Sequence, residues 1–161
     1  MNPTVFYEDR RRAIIDACDK SWEANKDNCS GFVKATLKQL GVSAHIPDVR
    51  ANDLYTHFMN AKSDWFYVGS GQSATSLAGV SAHEGRLVVA AWKNPDQGKA
   101  GHVAIVTEYM STIKAAKPEQ RLLAYWGLLD AEGKRGEKIT LSFGSAKLND
   151  VAYFIYQGSL S

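Results

Sequence analysis

Apolar residues change their spacing once along this chain, and that change limits the folds open to it. Up to about residue 83 they recur at helical intervals. Ile14, Cys18 and Trp22 lie four apart with Ile15 beside them; Phe32, Val33, Leu37 and Leu40 form a second stripe; Leu54, Tyr55, Phe58 and Met59 form a third. After Gly85 they come in short runs of strand length at 87–92, 102–107, 122–126, 139–143 and 151–156. Helices are therefore expected over 9–22, 30–40, 52–61 and 72–83, and five strands after them. Loops are expected at 93–101, 110–120 and 127–137. Helices first and strands afterwards is an α+β order, with the helices packed on one face of a mainly antiparallel sheet. Asn28 suits the N-cap of the second helix, and Gly41 its left-handed C-terminal cap.

With 161 residues, 45% of them hydrophobic, the chain can bury one proper core, so residues 1–161 read as a single domain. No repeat, low-complexity run or linker divides it. The formal net charge is only +2, and the basic residues are scattered apart from Arg10, Arg11 and Arg12. That argues against nucleic acid as a partner while leaving anionic polymers open. No segment approaches the roughly 20 apolar residues of a membrane span. The first residues lack the basic, apolar and small-residue order of a secretory signal, so synthesis in the cytoplasm without a cleaved leader is expected.

Two cysteines make neither a disulfide framework nor a zinc pattern, and each is judged by its setting. Cys18 lies mid-helix, one turn from both Ile14 and Trp22, and reads as structural. Cys29 opens a helix directly after its cap, in Asp27-Asn28-Cys29-Ser30-Gly31-Phe32-Val33. Free backbone N–H groups and the positive end of the helix dipole lie there. Both favour thiolate, and the same N–H groups, of Cys29 and Ser30, can hold an oxyanion. Gly31 leaves room near the sulfur, while Phe32, Val33 and Leu37 anchor the helix. The bland alternative is a cysteine used as a small buried hydrophobe.

A thiolate mechanism needs a base. His45 precedes Pro47 in a loop, His57 falls off the core stripe of its helix and reads as exposed, and His83 ends a polar segment. Solvated or capping roles suit all three. His102 differs, because it follows Gly101 and opens a strongly apolar strand, where a rigid backbone can aim the ring into a cleft. Alternation places His102, Ala104 and Val106 on one face and Val103, Ile105 and Thr107 on the other. A histidine that merely starts a strand is the competing reading. No histidines are paired at zinc-helix spacing, so no metal or other cofactor is expected.

The cysteine segment together with Gly101-His102-Val103-Ala104-Ile105-Val106 resembles NlpC-like papain-fold peptidases. A longer match adds Cys18–Trp22, Leu40-Gly41-Val42 and Leu87-Val88-Val89, and is similar to the first family of type VI secretion amidase effectors. The resemblance implies a papain-like (NlpC-type) fold. It also implies hydrolysis of the D-glutamyl–meso-diaminopimelate bond of Gram-negative peptidoglycan stems, with Cys29 and His102 catalytic. Delivery by the type VI secretion machinery into a recipient's periplasm and a cognate immunity protein come with it. Papain-fold enzymes often orient the histidine from the next strand, which here puts the third position near Tyr125 or Trp126. An indole N–H cannot accept a proton from imidazole, although a main-chain carbonyl can. Trp92 and Tyr125 could border the cleft, though core packing is the simpler use of both. Two rival readings are a resident NlpC-like cell-wall endopeptidase and a non-catalytic papain-fold binding module. The absence of a signal peptide or wall-binding module opposes the first, and retention of both Cys29 and His102 opposes the second.

Overall fold

The computed structural model describes residues 2–42, 46–110, 114 and 118–161. Helix α1 (Pro3–Trp22) starts six residues earlier than the apolar stripe suggests. Its first turns are exposed, and what begins it is local chemistry: Asn2 Oδ1 accepts from the Thr4 N–H at 3.0 Å, with Pro3 at the first helical position. Helix α2 (Cys29–Gln39) is capped by Asn28 as expected. It ends at Gly41, whose φ of +73° lets the Val42 N–H return to the Leu37 carbonyl. Helix α3 (Ala51–Met59) follows, buried through Leu54 and Phe58.

Strand β1 (Trp65–Ser70), helix α4 (Gln72–His83), β2 (Val88–Trp92), β3 (His102–Tyr109), β4 (Leu122–Trp126), β5 (Lys134–Lys138), the short helix α5 (Ile139–Phe143) and β6 (Ala152–Tyr156) complete the order. The six strands form one sheet in the order β1-β6-β2-β3-β4-β5, with every neighbouring pair antiparallel. The architecture is α+β, helices on an antiparallel sheet, and it accords with the papain-like fold.

Three expectations need correction. Residues 139–143 are a helix rather than a strand. Ile139 and Phe143, four apart, both turn inward while Leu141 between them is 62% exposed. Two strands, β1 and β5, were not expected. The helices also do not share one face. Helices α1, α2 and α3 cover Val89, Ala91, Val103, Ile105 and Phe154, whereas α4 and α5 cover Val88, Ala90, Ala104, Val106 and Tyr153. Residues 87–91 are apolar on both faces, so both need a cover.

No helix among the described residues is long and apolar enough to cross a membrane.

Candidate active site

Helix α2 begins against the sheet and carries Cys29 as its first residue. Phe32, Val33 and Leu37 are fully buried, each contributing about 2 kcal/mol of hydrophobic burial, so the helix start cannot drift. Asn28 Oδ1 accepts from the Gly31 N–H at 2.9 Å and from the Ser30 hydroxyl at 3.2 Å. The Gly31 amide is thus used by the cap. Gly31 itself matters for that cap rather than for room at the sulfur: a Cβ there would sit 2.7 Å from Asn28 Nδ2. The chain before α2 is held in turn by the loop after β4, through Leu128 N–H and Gly133 N–H to the Lys26 carbonyl.

His102 is delivered by a second latch. Asn52 of α3 donates through Nδ2 to the Lys99 carbonyl and accepts at Oδ1 from the Asn94 N–H, both at 2.9 Å. Gly101 passes so close that a Cβ would meet Asn52 Oδ1 at 2.4 Å and the Trp92 carbonyl at 2.5 Å, so only glycine fits immediately before the histidine. The alternation of β3 holds. Ala104 and Val106 share the α4 and α5 side, and the His102 ring stacks edge-on against Phe143 at 4.9 Å.

Both residues border one open cleft of about 690 Å³ at the end of the sheet where β3 begins. Its other walls come from Asp48–Ala51, Leu128 and Leu129, and from Ser142 and Lys147. Cys29 is 8% and His102 6% exposed. Burial raises the Cys29 thiol above its ordinary range, and the backbone N–H groups of Val103, Ser30 and Cys29 itself pull the other way without winning. Burial also lowers His102, to about 4, helped by the Lys147 charge. Lys147 Nζ lies 4.5 Å from the ring centre of Trp92, the cross-strand neighbour of His102. Burial thus favours the neutral thiol and the neutral imidazole over the ion pair that a helix dipole alone would suggest.

Among the described residues, the ring of His102 makes its hydrogen bond not to Cys29 but to Ser142, with Nε2 and Oγ 2.7 Å apart. Residues 139–143 read as a strand in the sequence, so Ser142 was missed. Among the described residues, neither Tyr125 nor Trp126, where the third position is sought, makes a hydrogen bond to the His102 ring. Tyr125 is buried on the α1 side, and the Trp126 carbonyl accepts from Trp22 Nε1 at 3.2 Å. Neither Tyr125 nor Trp92 lines the cleft.

The remaining candidates lie elsewhere. Cys18 is fully buried and its thiol is pushed well above the ordinary range by burial, with Asp19 adding to the shift. His57 is half-buried rather than exposed and lines a separate pocket beside Trp65. His83 is exposed and accepts at Nδ1 from Arg11 at 2.9 Å. His45 falls outside the described residues. No group of three or more His, Cys, Asp or Glu side chains among the described residues is placed to hold a metal ion.

No protein-family model matches the chain. Over 102 residues it is 34% identical to the peptidoglycan amidase Tse1 of Pseudomonas aeruginosa, a match covering 59% of this chain. The chain spans 58% of the length of that curated relative. That relative is a curated amidase, in line with the resemblance read from the sequence.

Proposed function

We propose that this protein is a peptidoglycan amidase in which Cys29 is the nucleophile and His102 its general base. One observation carries the reading: a buried cysteine at a capped helix N-terminus and a buried histidine at the start of a strand share the wall of one cleft. The similarity to a peptidoglycan amidase supplies the substrate class.

The chemistry follows from the neutral resting groups. As the thiol approaches the amide carbonyl, its proton passes to His102 and the C–S bond forms. Oxygen charge develops against the N–H groups of Cys29 and Ser30, which the Asn28 cap leaves unused. Protonated His102 then gives its proton to the leaving amine. Water, deprotonated by the same ring, hydrolyses the thioester and restores the thiol. An open cleft in the free protein is compatible with this, because catalytic contacts often tighten only around substrate. Arg50 and Lys147 on the rim suit the carboxylates of a stem peptide.

The bond is the one between D-glutamate and meso-diaminopimelate, and the setting is the periplasm of a Gram-negative recipient. The type VI machinery delivers the protein and a cognate immunity protein guards the producer. These finer points rest on the resemblance of the sequence segments.

Digestion of purified Gram-negative peptidoglycan, with fragments identified by mass spectrometry, tests the reading. Wild-type protein should release fragments cut after D-glutamate. Cys29→Ala and His102→Ala should each lose at least about a thousandfold in rate, and the double variant should lose little more, because the pair acts as one unit. Residual digestion by Cys29→Ala at near wild-type rate would remove cysteine catalysis, and products cut at another bond would replace the proposed specificity.

A further inference from the structure

We infer that Ser142 is the positioning residue for His102, accepting the Nε2–H of the ring and so leaving Nδ1 as the nitrogen that takes the proton of Cys29. The inference rests on the amidase reading for its consequences, but its geometry comes from α5 alone.

A histidine only 6% exposed needs partners for its polar atoms, and among the described residues Ser142 Oγ is the hydrogen-bond partner the ring has, at 2.7 Å. Phe143, next along the helix, meets the ring edge-on at 4.9 Å and restricts its rotation. Helix α5 is itself pinned, with Ile139 and Phe143 buried and Gly144 ending it at a φ of +71°. Two adjacent residues of one short helix therefore fix both the hydrogen bond and the plane of the imidazole. Among the described residues the neighbouring strand makes no hydrogen bond to the ring, and the Trp126 carbonyl accepts instead from Trp22.

A hydroxyl in this position has a chemical consequence. A carboxylate or a carboxamide oxygen can do nothing but accept, whereas a hydroxyl can donate or accept; in the accepting role assigned here, Ser142 holds the ring proton on Nε2. Only the form with Nε2–H leaves a lone pair on Nδ1 to receive a proton from sulfur. A hydroxyl also brings no negative charge to stabilise imidazolium, and the nearby Lys147 opposes that charge. The pair then stays neutral until substrate arrives, and proton transfer accompanies attack instead of preceding it. Ser142 acts through His102 and does not touch the reacting carbonyl.

Ser142→Ala and Ser142→Thr in the full chain, compared with wild type, decide the matter. The readouts are kcat and KM on soluble peptidoglycan fragments and the ¹⁵N shifts of the His102 ring at pH 7. Wild type should show a proton on Nε2. Ser142→Ala should lose roughly ten- to hundredfold in kcat, part of what a positioned base supplies, with KM little changed and the ring a mixture of tautomers. Ser142→Thr, which keeps the hydroxyl, should recover most of the rate and the single tautomer. A wild-type ring with its proton on Nδ1 overturns the inference. So does a Ser142→Ala protein whose tautomer is unchanged, whatever its rate. If wild type carries Nε2–H and Ser142→Ala mixes the forms, yet no fragment is cleaved, the positioning holds and the amidase reading falls.

Discussion

Cys18 and Cys29 carry the same thiol in the same core, yet only one is reachable. Burial raises both, but Cys29 borders the cleft and has three backbone N–H groups around its sulfur, whereas Cys18 is sealed between α1 and α2 with no exposure. Iodoacetamide at pH 7 should therefore label Cys29 first and slowly. Its rate should climb through the alkaline range as thiolate forms, while Cys18 reacts only on unfolding. Peptide mass mapping of both sites against pH checks this, and equal labelling or faster labelling of Cys18 would remove the distinction. At this scale much was legible. A cysteine after a capping asparagine and a histidine after a glycine each carry a local signature that survives without knowing the fold. Ser142 carries none, since its part depends on α5 crossing the sheet to reach the start of β3.

At the level of elements, the histidine depends on α3 as much as on its own strand. Asn52 ties the loop before β3 at two backbone positions, Asn94 and Lys99. Asn52→Ala should cost about 1–2 kcal/mol of stability through lost and unsatisfied hydrogen bonds. It should also speed amide exchange across 94–101 and lower kcat several-fold, with the fold otherwise intact. Exchange measured by mass spectrometry gives the result directly, and unchanged protection of that loop would show that the latch is idle. The elements missed in the sequence have physical reasons. Strand β5, Lys134–Lys138, has no apolar residue; it is an edge strand whose charges discourage a further partner. Residues 139–143 place apolar side chains at both i+2 and i+4, so the pattern fits strand and helix alike, and only the exposure of Leu141 separates them. Strand β1 was readable in principle from Trp65, Phe66, Tyr67 and Val68, an aromatic and β-branched run that precedes Gly69.

Across the whole molecule, burying His102 couples the proposed base to stability. In the unfolded chain the ring protonates near 6.5, and in the folded protein near 4. Between those values the unfolded state binds more protons, so folding weakens as pH falls. The stability is complete above pH 6.5 and is lost progressively down to about pH 4, a change of about 3 kcal/mol from this group. Glu23 and Asp48, held low by Lys26 and Lys34, add an acid loss of their own, but it is shared by any variant that keeps them. Urea unfolding at pH 7 and pH 4 should therefore show a larger drop in wild type than in His102→Gln, by about 3 kcal/mol. Lys147→Met tests the second cause of the shift. Without that cation, imidazolium is less opposed, so the folded pKa rises toward 6.5 while burial keeps it below. The acid loss of stability then shrinks, and the acid limb of kcat/KM, expected near pH 4 in wild type, moves upward. A Lys147→Met protein with the wild-type acid limb would mean that the charge over Trp92 is screened from the ring and burial alone sets its basicity.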